Sequence, residues 1–135
     1  MFIKSQEISH PLFLEKKIQL SIKRLDLIHP YISGNKFYKL KYNILEALKQ
    51  NTKTILTFGG AYSNHISATA FAAQQEGFKS IGIIRGEETF PLNHTLTFSK
   101  ECGMELHYIS RKEYRKKHTE SFIKSLQKKL GRFYQ

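Results

Sequence analysis

Cysteine is nearly absent from this sequence, and no long apolar run is present. The single cysteine, Cys102, excludes an internal disulfide and suits a reducing compartment. No apolar stretch approaches the roughly 20 residues that a membrane-spanning helix needs. The first residues also lack the basic, apolar and small-residue order of a secretory signal. We therefore predict a cytoplasmic protein without a membrane partner.

Clusters of metal ligands are missing as well. The six histidines are scattered, and one cysteine cannot provide the paired Cys/His spacing of a zinc site. We predict no bound metal. What is present, 40% apolar and 24% charged residues in a chain of 135, is typical of a globular protein that buries a core.

Acidic residues are few, and the positive excess is concentrated in one segment. The net charge is +11, and residues 111–135 supply +7 of it through nine Lys/Arg against two Glu. The segment also has an apolar stripe at helical spacing, so its charges are most simply the solvated face of a helix. A basic binding module that uses residues 111–132 stays an alternative. Nucleic-acid binding is the weaker hypothesis, because no known binding motif and no interleaved exposed aromatic residues support it.

The first third of the chain predicts one strand and one helix. Residues 1–17 carry little periodic signal, whereas apolar and polar residues alternate over 18–22, the pattern of a half-buried strand. After an irregular connection through Ser33-Gly34, a helix is predicted from about Lys36 to Gln50, with Asn35 as its N-cap. Its apolar face comprises Phe37, Leu40, Ile44, Leu45 and Leu48.

From residue 54 onward, strands and helices alternate. Strands are predicted over 54–58, 80–84 and 105–109, and helices over 63–75, 93–101 and 111–130. Gly59-Gly60 is predicted to be a turn, and residues 132–135 to begin a further strand. Regular alternation of this kind indicates right-handed βαβ units around a parallel sheet. We predict a three-layer α/β fold in which the alanine-rich helix 63–75 lies close to the sheet.

Lys36 stands at a position where a lysine is slightly unfavourable. It opens a helix, where the partial positive charge of the N-terminus and a second cation, Lys39, both favour the neutral amine. A neutral, nucleophilic lysine is what covalent chemistry with an aldehyde cofactor requires. The alternative is an ordinary solvated lysine in a first helical turn.

The segment from Gly59 to His65 joins a strand to a helix. A tight connection in which Ser63 or Asn64 caps the helix explains these residue types without any ligand. The same geometry also suits a site, because ligands of open parallel sheets collect beyond the carboxyl ends of the strands. Free N–H groups at a helix start there bind a carboxylate or a phosphate.

Both motifs together resemble one enzyme family. Residues 33–42 (Ser-Gly-Asn-Lys-Phe-Tyr-Lys-Leu-Lys-Tyr) and 59–65 (Gly-Gly-Ala-Tyr-Ser-Asn-His) are similar to the 1-aminocyclopropane-1-carboxylate deaminase / D-cysteine desulfhydrase family. Residues 22–27 and 82–86 fit the same frame, so the resemblance covers nearly the whole chain from about Leu20. It implies a pyridoxal-phosphate enzyme of the tryptophan-synthase-β fold type. The implied reaction releases ammonia and a keto acid from a small amino-acid substrate, with sulfide in addition from a cysteine-like one.

The resemblance also implies roles for particular residues. Lys36 is expected to carry the cofactor's aldehyde, and Asn64 to hydrogen-bond its phenolic oxygen. Ser63 is expected to contact the substrate near the reacting carbon. Ser63, Asn64 and His65 are expected to hold the substrate carboxylate through the local backbone. No proton transfer is assigned to the His65 side chain, because a capping or packing histidine is an equal interpretation.

The chain departs from the family in one respect. The resemblance implies a glycine/threonine-rich loop for the cofactor phosphate and further ring-stacking tyrosines, and this sequence has no such loop. We therefore expect an N-terminal fragment, in which residues 1–37 begin the larger cofactor domain and 38–135 form the small α/β domain. We expect a homodimer in the full-length form. The 135 residues alone are expected to be inactive and to self-associate, and an inactive remnant is the alternative function.

Overall fold

The computed structural model of the chain describes residues 3–32 and 34–135. Ser33, part of the predicted irregular connection and of the first motif, lies outside the described residues. The side chain of Phe37, predicted on an apolar helix face, does so too. Within the described ranges, no helix has the length and apolar character needed to cross a bilayer.

The chain begins with a small two-stranded sheet. It comprises β1 (Ser5–Ile8) and β2 (Leu20–Lys23), paired antiparallel, with α1 (Pro11–Glu15) between them. The sequence predicted a strand at β2 but neither β1 nor α1. Leu20 and Ile22 are 40% and 45% exposed, so the prediction that this strand is half-buried was wrong. Its apolar side chains are uncovered because no further element among the described residues packs over them.

Helix α2 (Lys36–Lys49) follows a short 3-10 turn and matches the predicted helix closely. Leu40 and Ile44 are buried, but Leu45 and Leu48 are 45% and 53% exposed, so the buried stripe is narrower than predicted. Asn35 precedes the helix without a side-chain capping bond, contrary to the prediction. Its backbone is already helical (φ −68°, ψ −11°), whereas a capping side chain needs an extended backbone to reach the first turn.

The main sheet is parallel, in the strand order β3-β4-β5. Its elements are β3 (Thr54–Gly60), α3 (Asn64–Gln75), β4 (Lys79–Arg85), α4 (His94–Glu101) and β5 (Met104–Ile109). These bounds confirm the predicted alternation. Gly59 and Gly60 are an exception, because they extend β3 and pair with Ile84 and Arg85 instead of forming a turn. The turn comes at residues 61–62.

The sheet is covered on both faces, as a three-layer fold requires. On one face α3 packs closely through small side chains, and Ala70 and Ala73 are fully buried. On the other face Leu126 of the last helix contacts a cluster that includes Leu56 and Ile83. A Cβ added to Gly59 would lie 2.4 Å from Cγ1 of Ile66, so α3 approaches β3 to a distance that only glycine allows there.

The basic segment near the end of the chain forms two helices, not the single long one predicted. These are α5 (Arg111–Tyr114) and α6 (Glu120–Leu130). Ser110 and Glu113 form a capping box that starts α5, and Thr119 starts α6 after an intervening turn. Beyond α6, Tyr134 pairs in parallel with β3, since its N–H donates to Thr54 at 2.8 Å and its carbonyl accepts from Leu56 at 2.8 Å. This agrees with the prediction of a strand beginning there.

Candidate functional site

The fold brings the starts of α2 and α3 to the same edge of the main sheet. Each helix is followed by a short connection and then by a strand of that sheet, so each runs back toward the amino edge of the strands. Their N-termini therefore lie at the carboxyl edge, where ligands of open α/β sheets bind. Lys36 is the first residue of α2, and Asn64 is the first residue of α3.

Lys36 is partly buried and has a second cation close by. Lys39, one turn further along α2, is exposed, and its backbone N–H donates to the Asn35 carbonyl at 3.2 Å. The positive charges of both lysines lie near enough to His65 of α3 to lower the pKa of that histidine, in addition to the larger effect of burial. Lys36 and His65, which belong to two motifs that are distant in sequence, therefore lie near each other at this edge.

Ser63 is the N-cap of α3, and two backbone N–H groups of the Ser63–His65 segment already donate hydrogen bonds within the protein. Its backbone is extended, and its Oγ accepts from the N–H of His65 at 3.3 Å. The Ser63 N–H donates to the Gly60 carbonyl at 3.0 Å. Two of the three amides expected to hold a carboxylate are therefore engaged within the protein. Asn64 has an exposed side chain, and the N–H of a first helical residue has no partner inside its own helix.

His65 is held by a contact that sequence analysis missed. Its Nε2 lies 2.8 Å from Oγ1 of Thr57, a buried residue of β3. The Nδ1 atom of the ring is buried and has no hydrogen-bond partner among the described residues. Burial lowers the pKa of His65 below its ordinary value, and the positive charges of Lys36 and Lys39 lower it further. The ring is therefore neutral, has a hydrogen-bond partner at one of its two nitrogens, and lies beside two cations.

A second missed residue, Asn93, connects α4 to this edge. It caps α4 by accepting from the N–H of Leu96 at 3.1 Å, and its own amide donates to the carbonyl of Ala61 at 3.0 Å. Nothing local in the sequence signals this pairing across 32 positions. Next to Asn64, an open groove of about 250 Å³ runs between α3 and α4, with Tyr31 and Phe98 among its walls.

Comparisons with known proteins agree in sequence and in structure. A putative 1-aminocyclopropane-1-carboxylate deaminase of Thermotoga maritima is 40% identical over 93 residues, which are 69% of this chain and 30% of that protein. The mitochondrial bifunctional D-cysteine desulfhydrase/1-aminocyclopropane-1-carboxylate deaminase of Arabidopsis thaliana is 35% identical over 117 residues, 83% of this chain and 29% of that protein. A crystal structure of an ACC deaminase homologue superposes with a TM-score of 0.76 at 28% identity, covering 98% of this chain and 40% of that one.

Over 69–83% of its own length, the chain is similar to proteins named 1-aminocyclopropane-1-carboxylate deaminase and D-cysteine desulfhydrase. It spans about 30% of the length of the curated relatives that it matches. A crystal structure of O-ureido-L-serine synthase, at a TM-score of 0.68 and 14% identity, has the same fold as this chain. No family model matches the chain. The resemblance drawn from residues 33–42 and 59–65 is confirmed, and so is the predicted three-layer fold.

Proposed function

We propose that this chain forms part of a pyridoxal-phosphate-dependent deaminase or desulfhydrase that acts on a small amino acid. The substrate would be of the 1-aminocyclopropane-1-carboxylate or D-cysteine class, and the products ammonia and a keto acid. The observation that supports the proposal is that α2, at Lys36, and α3, at Asn64, both begin at the carboxyl edge of the sheet.

The residues at this edge fit the cofactor chemically. The cofactor has an aldehyde, a phenolic oxygen and a phosphate, and Lys36 offers a partly buried primary amine to the first of these. The exposed amide of Asn64 offers a donor for the phenolic oxygen. The buried Nδ1 of His65, which has no hydrogen-bond partner among residues 3–32 and 34–135, also supports a polar group at this edge. When bound, the cofactor would supply an electron sink for the substrate's reacting carbon.

The protein residues would bind and orient the substrate. The start of α3 favours a carboxylate, because its N–H groups and its dipole present partial positive charge. Ser63 Oγ accepts from His65 N–H, which leaves the Ser63 hydroxyl proton free to be donated near the reacting carbon. The amine of Lys36 is the group we assign to hold a proton removed from that carbon.

We further propose that the remaining cofactor contacts come from a larger domain. Residues 1–37 would form its first part and 38–135 the small domain, with a homodimer as the working assembly. The separate small sheet of β1 and β2, with its uncovered apolar side chains, supports this division.

Covalent trapping tests the proposal. The chain is incubated with pyridoxal phosphate and reduced with borohydride, and the modified lysine is identified by peptide mass spectrometry. We expect modification at Lys36 in preference to every other lysine, loss of that modification in Lys36→Arg, and no change in Lys39→Arg. Both variants keep the positive charge, so they separate covalent attachment from electrostatics. If all exposed lysines were modified to the same extent, the proposal would be overturned, and an inactive remnant or a basic binding module would be favoured.

A further inference from the structure

Thr57 and His65 form a polar pair between the sheet and α3. Thr57 is 8% exposed, and its side chain lies on the face of β3 that packs against α3, as does that of Ile55 two positions earlier. Among the described residues, the one hydrogen-bond partner found for its hydroxyl is Nε2 of His65, at 2.8 Å. Two buried polar groups thus depend on a single contact.

The direction of this hydrogen bond follows from counting donors. If His65 Nε2–H donated to Thr57, the buried Thr57 O–H and the Nδ1 lone pair would both lack a partner. If Thr57 donates to Nε2 instead, only the Nδ1–H remains without one. Unsatisfied buried groups cost free energy, so the second arrangement is favoured. It places a proton on Nδ1.

The surroundings of the ring favour the same neutral form. Lys36 and Lys39 of α2 are the charged groups that act on the ring, and on β3 its polar neighbour is the uncharged Thr57. A second ring N–H proton, as in the imidazolium, would add a charge next to two cations in a partly buried place.

We propose that Thr57 is a positioning residue, which fixes His65 as a neutral imidazole protonated on Nδ1. This assignment does not rest on the proposed function, because the Thr57 contact belongs to the chain itself.

The test is nitrogen NMR of the ¹⁵N-histidine-labelled chain near neutral pH. The His65 signals are assigned by their loss in His65→Gln. We expect a protonated, pyrrole-like Nδ1 and an unprotonated, pyridine-like Nε2 in the native chain. Thr57→Val, which keeps the shape and removes the hydroxyl, should shift both signals toward the other tautomer. Thr57→Ser, which keeps the hydroxyl, should restore the native pattern.

Amide spectra of both variants establish whether they are folded. If Thr57→Val unfolds, the comparison of Thr57→Ser with the native chain still tests the proposal. A native ring protonated on Nε2 would overturn the proposal, as would signals unchanged by Thr57→Val, or a Thr57→Ser pattern unlike the native one. Lys36 trapping is independent of this result. Failure of the trapping with the expected tautomer intact removes the enzymatic proposal alone, whereas successful trapping with the wrong tautomer removes the role of Thr57 alone.

Discussion

The side-chain amide of Asn93 donates a 3.0 Å hydrogen bond to the carbonyl of Ala61, joining the start of α4 to the turn before Ser63. The same side chain caps α4 by accepting from the N–H of Leu96. One residue therefore both begins a helix and holds the loop that sets the first turn of α3. The candidate site depends on this loop because Ser63 and Asn64 follow it directly.

Asn93→Ser and Asn93→Ala should separate these two contributions. Serine remains a good N-cap but is too short to reach Ala61, whereas alanine loses both bonds. We expect Asn93→Ala to lower the free energy of unfolding by about 1 kcal/mol or more, and Asn93→Ser to lower it less. Hydrogen exchange should become faster at residues 61–63 in both variants, but at the start of α4 only in Asn93→Ala. Identical exchange in the two variants would contradict the double role.

Gly59→Ala should destabilise the chain much more than Gly60→Ala. A Cβ at residue 59 would lie 2.4 Å from the Ile66 side chain, whereas at residue 60 the nearest atom is Nη2 of Arg85 at 3.7 Å. We expect a loss of about 1–3 kcal/mol for the first variant, typical of overpacking, and a small change for the second. Urea unfolding of both variants measures the difference. Equal losses would mean that α3 can shift away from β3 at little cost.

His65 should make stability depend on pH in a defined window. Its folded-state pKa is lowered by burial and by Lys36 and Lys39, so the unfolded chain binds its proton first as the pH falls. The stability that neutral His65 contributes is complete above its ordinary pKa of 6.5 and is lost as the pH falls from there through the folded-state pKa.

Urea unfolding at several pH values between about 7.5 and about 5 checks this expectation. His65→Gln should show a smaller loss of stability across that range than the native chain. The exposed His118 provides the control, and His118→Gln should follow the native curve. A native curve that is flat below pH 6.5 would contradict the assignment of a neutral, buried His65.

The two-stranded sheet of β1 and β2 should promote self-association of the 135-residue chain. Leu20 and Ile22 are exposed on β2, and uncovered apolar strands tend to pair with other chains. We expect Leu20→Thr with Ile22→Thr to reduce the average mass measured by light scattering, since threonine keeps the strand propensity and lowers the apolar area. Leu27→Thr, at another exposed leucine outside this two-stranded sheet, is the control. A native chain that is monomeric at all concentrations tested would refute the expectation.

Much of the fold was predictable because its pattern is local. The strands and helices between residues 54 and 109 lie within about two residues of their predicted bounds, apart from Gly59 and Gly60. Glycine carries no side-chain periodicity, so the sequence could not show that the ladder with Ile84 and Arg85 continues through both. Strand β1 was missed because a short, exposed and mainly polar segment has no apolar alternation, and it becomes a strand only by pairing with β2.

Less of the candidate site's geometry could be predicted from the sequence. Lys36 and the Ser63–His65 segment could be named from the motifs, and the parallel topology explains why they share an edge. The partners Thr57 and Asn93 could not be named, because their hydrogen bonds depend on how β3, α3 and α4 pack together. The break between α5 and α6 was missed although Thr119-Glu120 is a reasonable second helix start, since the apolar stripe alone suggested one continuous helix.

The arrangement of helix starts gives the carboxyl edge of the sheet an uneven electrostatic potential. The N-termini of α2 and α3, with Lys36 and Lys39, place positive charge beyond β3, whereas beyond β4 the carboxylates of Glu87 and Glu88 offset the charges of Arg85 and Arg111. A molecule with separated positive and negative ends that diffuses toward this edge experiences a torque before it makes any contact. Its association rate should therefore fall as ionic strength rises, even for a ligand whose net charge is zero.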